Sequence, residues 1–167
     1  MSAIVGLLSA PPYRQSYRQI CRLMSEIFDV KLSRGSIGRL REELMAAIRE
    51  PVAAAKTYVQ SQPIINSDET SFNQGNQDGR NPKGRKGWLW VVLSPLVSFF
   101  GSQSQQGSCF VAGMLTVSVS LQAQGRAVLT WLTQAVKAVR LGKPAPSLLP
   151  SPPASSLSDE SFLFFLV

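Results

Sequence analysis

The sequence predicts a mixed α/β chain of the α+β kind: a helical N-terminal region, a central β-hairpin and C-terminal helices. Three observations predict it. Apolar residues recur at helical spacing over 13–28 and 33–49. Trp88-Leu89-Trp90-Val91-Val92-Leu93 is dense in aromatic and β-branched residues, and a short apolar stretch at 64–66 faces it across a Gly-rich loop. A second amphipathic stretch, 127–141, stops at Gly142 with Pro144 just beyond.

In order along the chain, residues 1–10 are apolar but short and have no basic n-region, so they do not read as a signal peptide. Tyr17, Ile20, Met24, Ile27 and Phe28 fall on one face of the first helix, with Arg14, Arg18 and Arg22 mostly on another. After a turn at Asp29-Val30-Lys31, Ser33 is the expected N-cap of a second helix whose inward residues are Ile37, Leu40, Leu44 and Ile48. Pro51 either interrupts that helix or opens a new turn, with helix resuming towards Gln60. Pro63 stops it. Residues 64–66 are strand-like, 70–72 extend the strand, and 75–87 form a Gly/Asn/Lys/Arg loop before the 88–93 strand. A turn at Ser94-Pro95 leads to a further strand at 96–100. Residues 108–122 read as helix, although Val117-Ser118-Val119-Ser120 alternates like a strand. The helix at 127–141 uses Val128, Leu129, Leu132, Val136 and Val139. The Pro/Ser-rich 144–158 reads as disordered, and the apolar 162–167 either packs on the body or is an aggregation liability.

Composition excludes several chemistries. The chain of 167 residues has no His, which removes Ser-His-Asp and Cys-His catalysis and His-containing zinc sites. Cys21 and Cys109 fit no metal-ligand spacing and read as buried or reduced thiols of a cytoplasmic protein. The longest apolar run, 88–100, is too short for a bilayer and contains Pro95, so no membrane partner is expected. A net charge of +7 makes a polyanion the reasonable partner.

The most informative segment is Gln62-Pro63-Ile64-Ile65-Asn66-Ser67-Asp68-Glu69-Thr70, an apolar strand delivering a carboxylate. Metal-dependent nucleases present a first acid this way, but Asp68 also reads as a cap or a solvated residue. Glu69 points to the other side of a continuing strand. Between 79 and 158 there is no Asp or Glu at all, while a two-metal site needs several carboxylates to hold cations about 4 Å apart. Arg80, Lys83, Arg85 and Lys86 either contact phosphates or decorate a hairpin tip. The Gly79…Gly84-Arg85-Lys86 spacing lacks the ending of a nucleotide-binding loop and precedes a strand, which excludes that reading. The two N-terminal helices fit either a helix-turn-helix, with Arg34, Ser36 and Arg39 entering a major groove, or an ordinary helical hairpin. For Trp88 and Trp90, core packing with partial exposure is favoured over a base-stacking platform.

Several segments match a known family in order and spacing. They are Tyr13-Arg14-Gln15-Ser16-Tyr17-Arg18-Gln19, Leu32-Ser33-Arg34-Gly35-Ser36-Ile37-Gly38, Asn66-Ser67-Asp68-Glu69-Thr70-Ser71-Phe72 and Gly87-Trp88-Leu89-Trp90-Val91-Val92. Gln124-Gly125-Arg126 and Gly142-Lys143-Pro144-Ala145-Pro146 match further on. Over roughly 13–150 the chain resembles the transposases of the insertion-sequence sixty-six group. That resemblance implies a ribonuclease-H-like core with an Asp, Asp, Glu triad and Mg²⁺, with Asp68 as first catalytic acid and metal ligand. It also implies that the stretch bearing the other two acids has been deleted near 99–102. The expected organisation is a helix-turn-helix-like 1–61, partial catalytic strands at 62–100, C-terminal helices at 101–143 and a disordered tail at 144–167. The expected function is a truncated transposase that binds DNA, is inactive alone and holds no Mg²⁺ stably. The expected partners are DNA and an intact transposase or itself. The alternatives are an enzyme completing its site from another chain, or a decayed gene product.

Overall fold

The computed structural model describes residues 1–63, 65–73, 83–84, 86–102 and 106–150. Helices α1 (Ser2–Ser9), α2 (Tyr17–Phe28) and α3 (Arg34–Gln60) lead into strands β1 (Asn66–Asn73), β2 (Lys86–Leu93) and β3 (Ser98–Ser102). Helices α4 (Gln106–Ala123) and α5 (Val128–Arg140) follow. The α+β expectation holds, with each predicted element present.

Local chemistry sets the helix starts. The Ser16 hydroxyl accepts from the Gln19 N–H at 3.3 Å while the Ser16 N–H donates to Gln19 Oε1 at 2.9 Å, a reciprocal capping box. It places the start of α2 at Tyr17, four residues after the apolar pattern begins. Ser33 caps α3 as expected, accepting from the Ser36 N–H at 3.1 Å. Pro51 neither breaks nor restarts α3: the helix runs through it. An interior proline forfeits one backbone hydrogen bond and costs about 3 kcal/mol. Here Ala47 and Ile48 before it, and Ala55 and Val59 after it, are all buried and hold both halves in line. At the end of α5, Gly142 takes φ 65°, the left-handed conformation a helix terminus favours.

The main core joins α3 (Leu44, Ile48, Val59), α4 (Phe110, Met114, Val117, Leu121) and α5 (Trp131, Leu132, Ala135). A smaller cluster joins Val5 of α1, Ile20 and Met24 of α2, and Ile37 of α3. Two sequence expectations need correction. Ile27 and Phe28 are 64% and 51% exposed rather than inward, because the small cluster ends at Met24. In α5 the buried stripe is rotated: Trp131 and Ala135 are inside, whereas Leu129 and Val139 are exposed. Residues 2–9, read only as apolar, form α1, which lies so close to α3 that a Cβ on Gly6 would meet Leu44 Cδ2 at 1.9 Å.

The sheet is an antiparallel meander in the order β1-β2-β3. Its two edges differ. Along the outer edge of β3, the Phe100 N–H donates to Thr116 Oγ1 at 2.9 Å. The Ser98 N–H donates to Ser120 Oγ at 2.9 Å, and Ser120 Oγ donates back to the Ser98 carbonyl at 3.1 Å. Hydroxyls one helical turn apart on α4 thus stand in for a fourth strand. The outer edge of β1 pairs with no strand among the described residues.

Past α5, the segment expected to be disordered from 144 packs as far as 150. Leu148 is fully buried, and the Ser147 carbonyl accepts from Trp131 Nε1 at 3.1 Å and from Arg126 at 2.9 Å. The rest of that expectation, 151–167, lies outside the described residues. A charged latch closes the helical body: Glu43 of α3 accepts from Arg140 of α5 at 2.6 and 2.9 Å and from the Ser2 hydroxyl of α1.

Candidate functional site

Asp68 is the third residue of β1 and is exposed. Pairing with Val91 puts it on the sheet face that carries Leu89, Val91 and Phe100, and its Oδ1 accepts from the Glu69 N–H at 2.7 Å. Glu69 pairs with Trp90 and so lies on the opposite face. These adjacent acids therefore do not converge on one ion.

The other described acids do not join Asp68. Glu43 is engaged by Arg140, and Glu26 by Arg22 at 2.7 Å on α2. Among the described residues no group of three or more His, Cys, Asp or Glu comes together. Asp78, Asp159 and Glu160 lie outside them. The Mg²⁺ pair that the resemblance implies needs several convergent carboxylates, and the described residues around Asp68 do not fit it.

The basic candidates form two separate regions. Arg34 and Arg39 are exposed on the first turns of α3. Ser36 is half-buried, and its hydroxyl lies 2.9 Å from that of Ser33, so it serves the helix cap. Lys83 and Lys86 are exposed before and at the start of β2, while Arg80 and Arg85 lie outside the described residues. The sheet meets the far half of α3, where the Lys56 ammonium sits 5.8 Å from the Phe99 ring centroid. Arg39 and Lys56 are seventeen residues apart on one helix, about 26 Å at 1.5 Å per residue. The α3 start and the hairpin are therefore not one patch.

One feature escaped the sequence reading. The Arg41 guanidinium is stacked 3.9 Å from the Phe110 ring centroid and 5.3 Å from that of Tyr17, whose hydroxyl it also contacts. It links α2, α3 and α4 through its planar face and has no acid partner among the described residues, an arrangement Arg supports better than Lys. Trp88 and Trp90, read from the sequence as core residues with partial exposure, are 48% and 44% exposed on the face opposite Asp68.

No helix among the described residues is long and apolar enough to cross a membrane. No curated protein and no solved structure matches the chain. The family model described as "Transposase IS66 family" matches residues 10–140. That span contains the α3 start, the Asp68 strand, the Trp88–Trp90 strand and both C-terminal helices. The chain belongs to the transposase IS66 family.

Proposed function

We propose that this chain is an internally deleted transposase that binds DNA and cannot cut or join it alone. The observation that carries the reading is the isolation of Asp68: one strand-borne acid, Glu69 turned to the other face, and no convergent acid among the described residues. The acid-free run from 79 to 158 supports loss of the segment that bore the remaining triad members. DNA binding draws on the +7 charge and on exposed Arg34, Arg39, Lys83 and Lys86. Such a protein acts in the cytoplasm by occupying DNA ends or by forming mixed oligomers with an intact transposase.

The test is a mobility shift on duplex DNA across a salt series, paired with a cleavage assay in Mg²⁺ and in Mn²⁺. Four phosphate contacts give a slope near −3.6 in log K against log salt, and on the order of a hundredfold weaker binding between 50 and 200 mM. No cleavage product is expected. Absence of binding at low salt overturns the proposal and leaves a decayed gene product.

The outer edge of β1, which pairs with no strand among the described residues, favours one second reading, in which another chain completes the site. It predicts metal-dependent cleavage only after mixing with intact transposase, and loss of that cleavage in Asp68→Asn.

A further inference from the structure

The hairpin holds two indoles in solvent side by side. Trp88 and Trp90 are 48% and 44% exposed, alternate with buried Leu89, and share one sheet face. Trp131, by contrast, is buried in the core. Exposed Lys86 begins the row and exposed Lys83 precedes it by three residues. Beyond Trp90 the face continues through Val92 and Phe99, which pack on the core, and ends beneath the Lys56 ammonium. The row therefore runs cation, indole, indole, cation.

The chemistry of this row selects its occupant. Same-face positions on an antiparallel strand lie about 6.8 Å apart. That is twice the rise per base of about 3.4 Å in a stacked nucleic-acid strand. Each indole can take its own base, or the pair can bracket one. The flanking lysines select a polyanion over an apolar protein surface. The indoles select unpaired bases, because a duplex hides its base faces. Glu69, beside Trp90, is the acid on this face. It repels phosphate but accepts hydrogen bonds from base amino groups, and so favours base contact over backbone contact there.

We propose that this face of the sheet is a base-stacking platform for single-stranded DNA. The inference rests on the DNA-binding reading and adds the strandedness of the substrate and the residues that select it.

The experiment titrates the full chain with an oligo(dT) of about twelve nucleotides and with a duplex of equal length, following tryptophan emission and acrylamide quenching. The expected result is saturable protection of the two exposed indoles by oligo(dT), weakened by salt. Trp88→Ala and Trp90→Ala each weaken oligo(dT) binding about tenfold or more and leave duplex binding unchanged. Trp88→Phe and Trp90→Phe retain most of the affinity, and Glu69→Gln tightens it. Acrylamide protection of the wild-type chain decides the matter even where an alanine variant fails to fold. Duplex binding without oligo(dT) binding overturns the platform and leaves the DNA-binding reading standing. Binding of neither overturns both. Protection that grows with protein concentration alone, without oligo(dT), identifies a second copy of this chain as the occupant and also overturns the platform.

Discussion

Substituting Gly6 by alanine tests the close approach of α1 to α3. A methyl there would sit 1.9 Å from Leu44 Cδ2 and 3.4 Å from Leu44 Cγ. Carbon atoms pack at about 3.5–4.0 Å, so one side must yield by about 1.6 Å. Leu44 is fully buried in the main core and has little room to move. Overpacking of this kind costs about 1–3 kcal/mol. Alanine returns about 1 kcal/mol in helix propensity, leaving a net loss of up to about 2 kcal/mol. Leu44→Ala alone opens a cavity and costs about 2–5 kcal/mol. In the double variant the new methyl enters space that Leu44 has vacated. Adding Gly6→Ala to the Leu44→Ala background is then neutral or stabilising by up to about 1 kcal/mol, so the effect reverses sign between backgrounds. Urea unfolding followed by far-UV circular dichroism, with m held constant, reads all four corners of the cycle. If Gly6→Ala is stabilising in the wild-type background, or no less favourable there than in the Leu44→Ala background, α1 does not lie on α3 in this way and the reasoning fails.

Three further outcomes follow from the packing. Ser120→Ala strands a backbone N–H and a carbonyl of Ser98 on the buried edge of β3, and should cost about 1–3 kcal/mol in urea unfolding. Trp131→Phe removes the indole N–H that holds the Ser147 carbonyl; it should cost about 1 kcal/mol and raise hydrogen exchange in 144–150 above that of α5. Glu43 has its carboxyl pKa held below the ordinary value chiefly by the hydrogen bond from Arg140, with burial opposing and Ser2 assisting. Its folded pKa lies below its unfolded one, so its stabilisation is present above about pH 4.3 and is lost as pH falls through the folded value. Glu43→Gln should therefore lower Tm by about 2–4 °C at neutral pH, and the gap between variant and wild type should close in acid.

What the sequence made legible was the set of features with local causes. Ser33 announces a cap because its hydroxyl serves a backbone N–H three residues on. The 88–93 strand is legible from its aromatic and β-branched content and its partner from a short apolar run, and the observed register puts Asp68 and Glu69 on opposite faces as strand geometry requires. Features decided by tertiary contact were less visible. Pro51 argues against a continuous helix locally, and only the burial of Ala47, Ile48, Ala55 and Val59 around it outweighs that. Ile27 and Phe28 fit the apolar stripe of α2 yet stay exposed, since the buried cluster of the described residues takes only Ile20 and Met24 from this helix. Trp131 was passed over in α5 although it lies three residues from Val128 and four from Ala135, the spacing of the buried stripe. Leu148 sits in a Pro/Ser-rich stretch that reads as disordered, and is buried because Gln124, Arg126 and Trp131 hold the backbone beside it. In the candidate site, the acid and the basic residues were legible by type. Their separation was not, since it depends on the sheet packing at the far half of α3.

The most direct test is metal-dependent strand cleavage by the purified chain on supercoiled and linear DNA, in Mg²⁺ and in Mn²⁺, beside Asp68→Asn. With no convergent set of carboxylates among the described residues to hold a cation pair, the wild-type chain and the variant should both leave the DNA intact while still binding it at low salt. Cleavage by the wild-type chain that disappears in Asp68→Asn would contradict the account at its root.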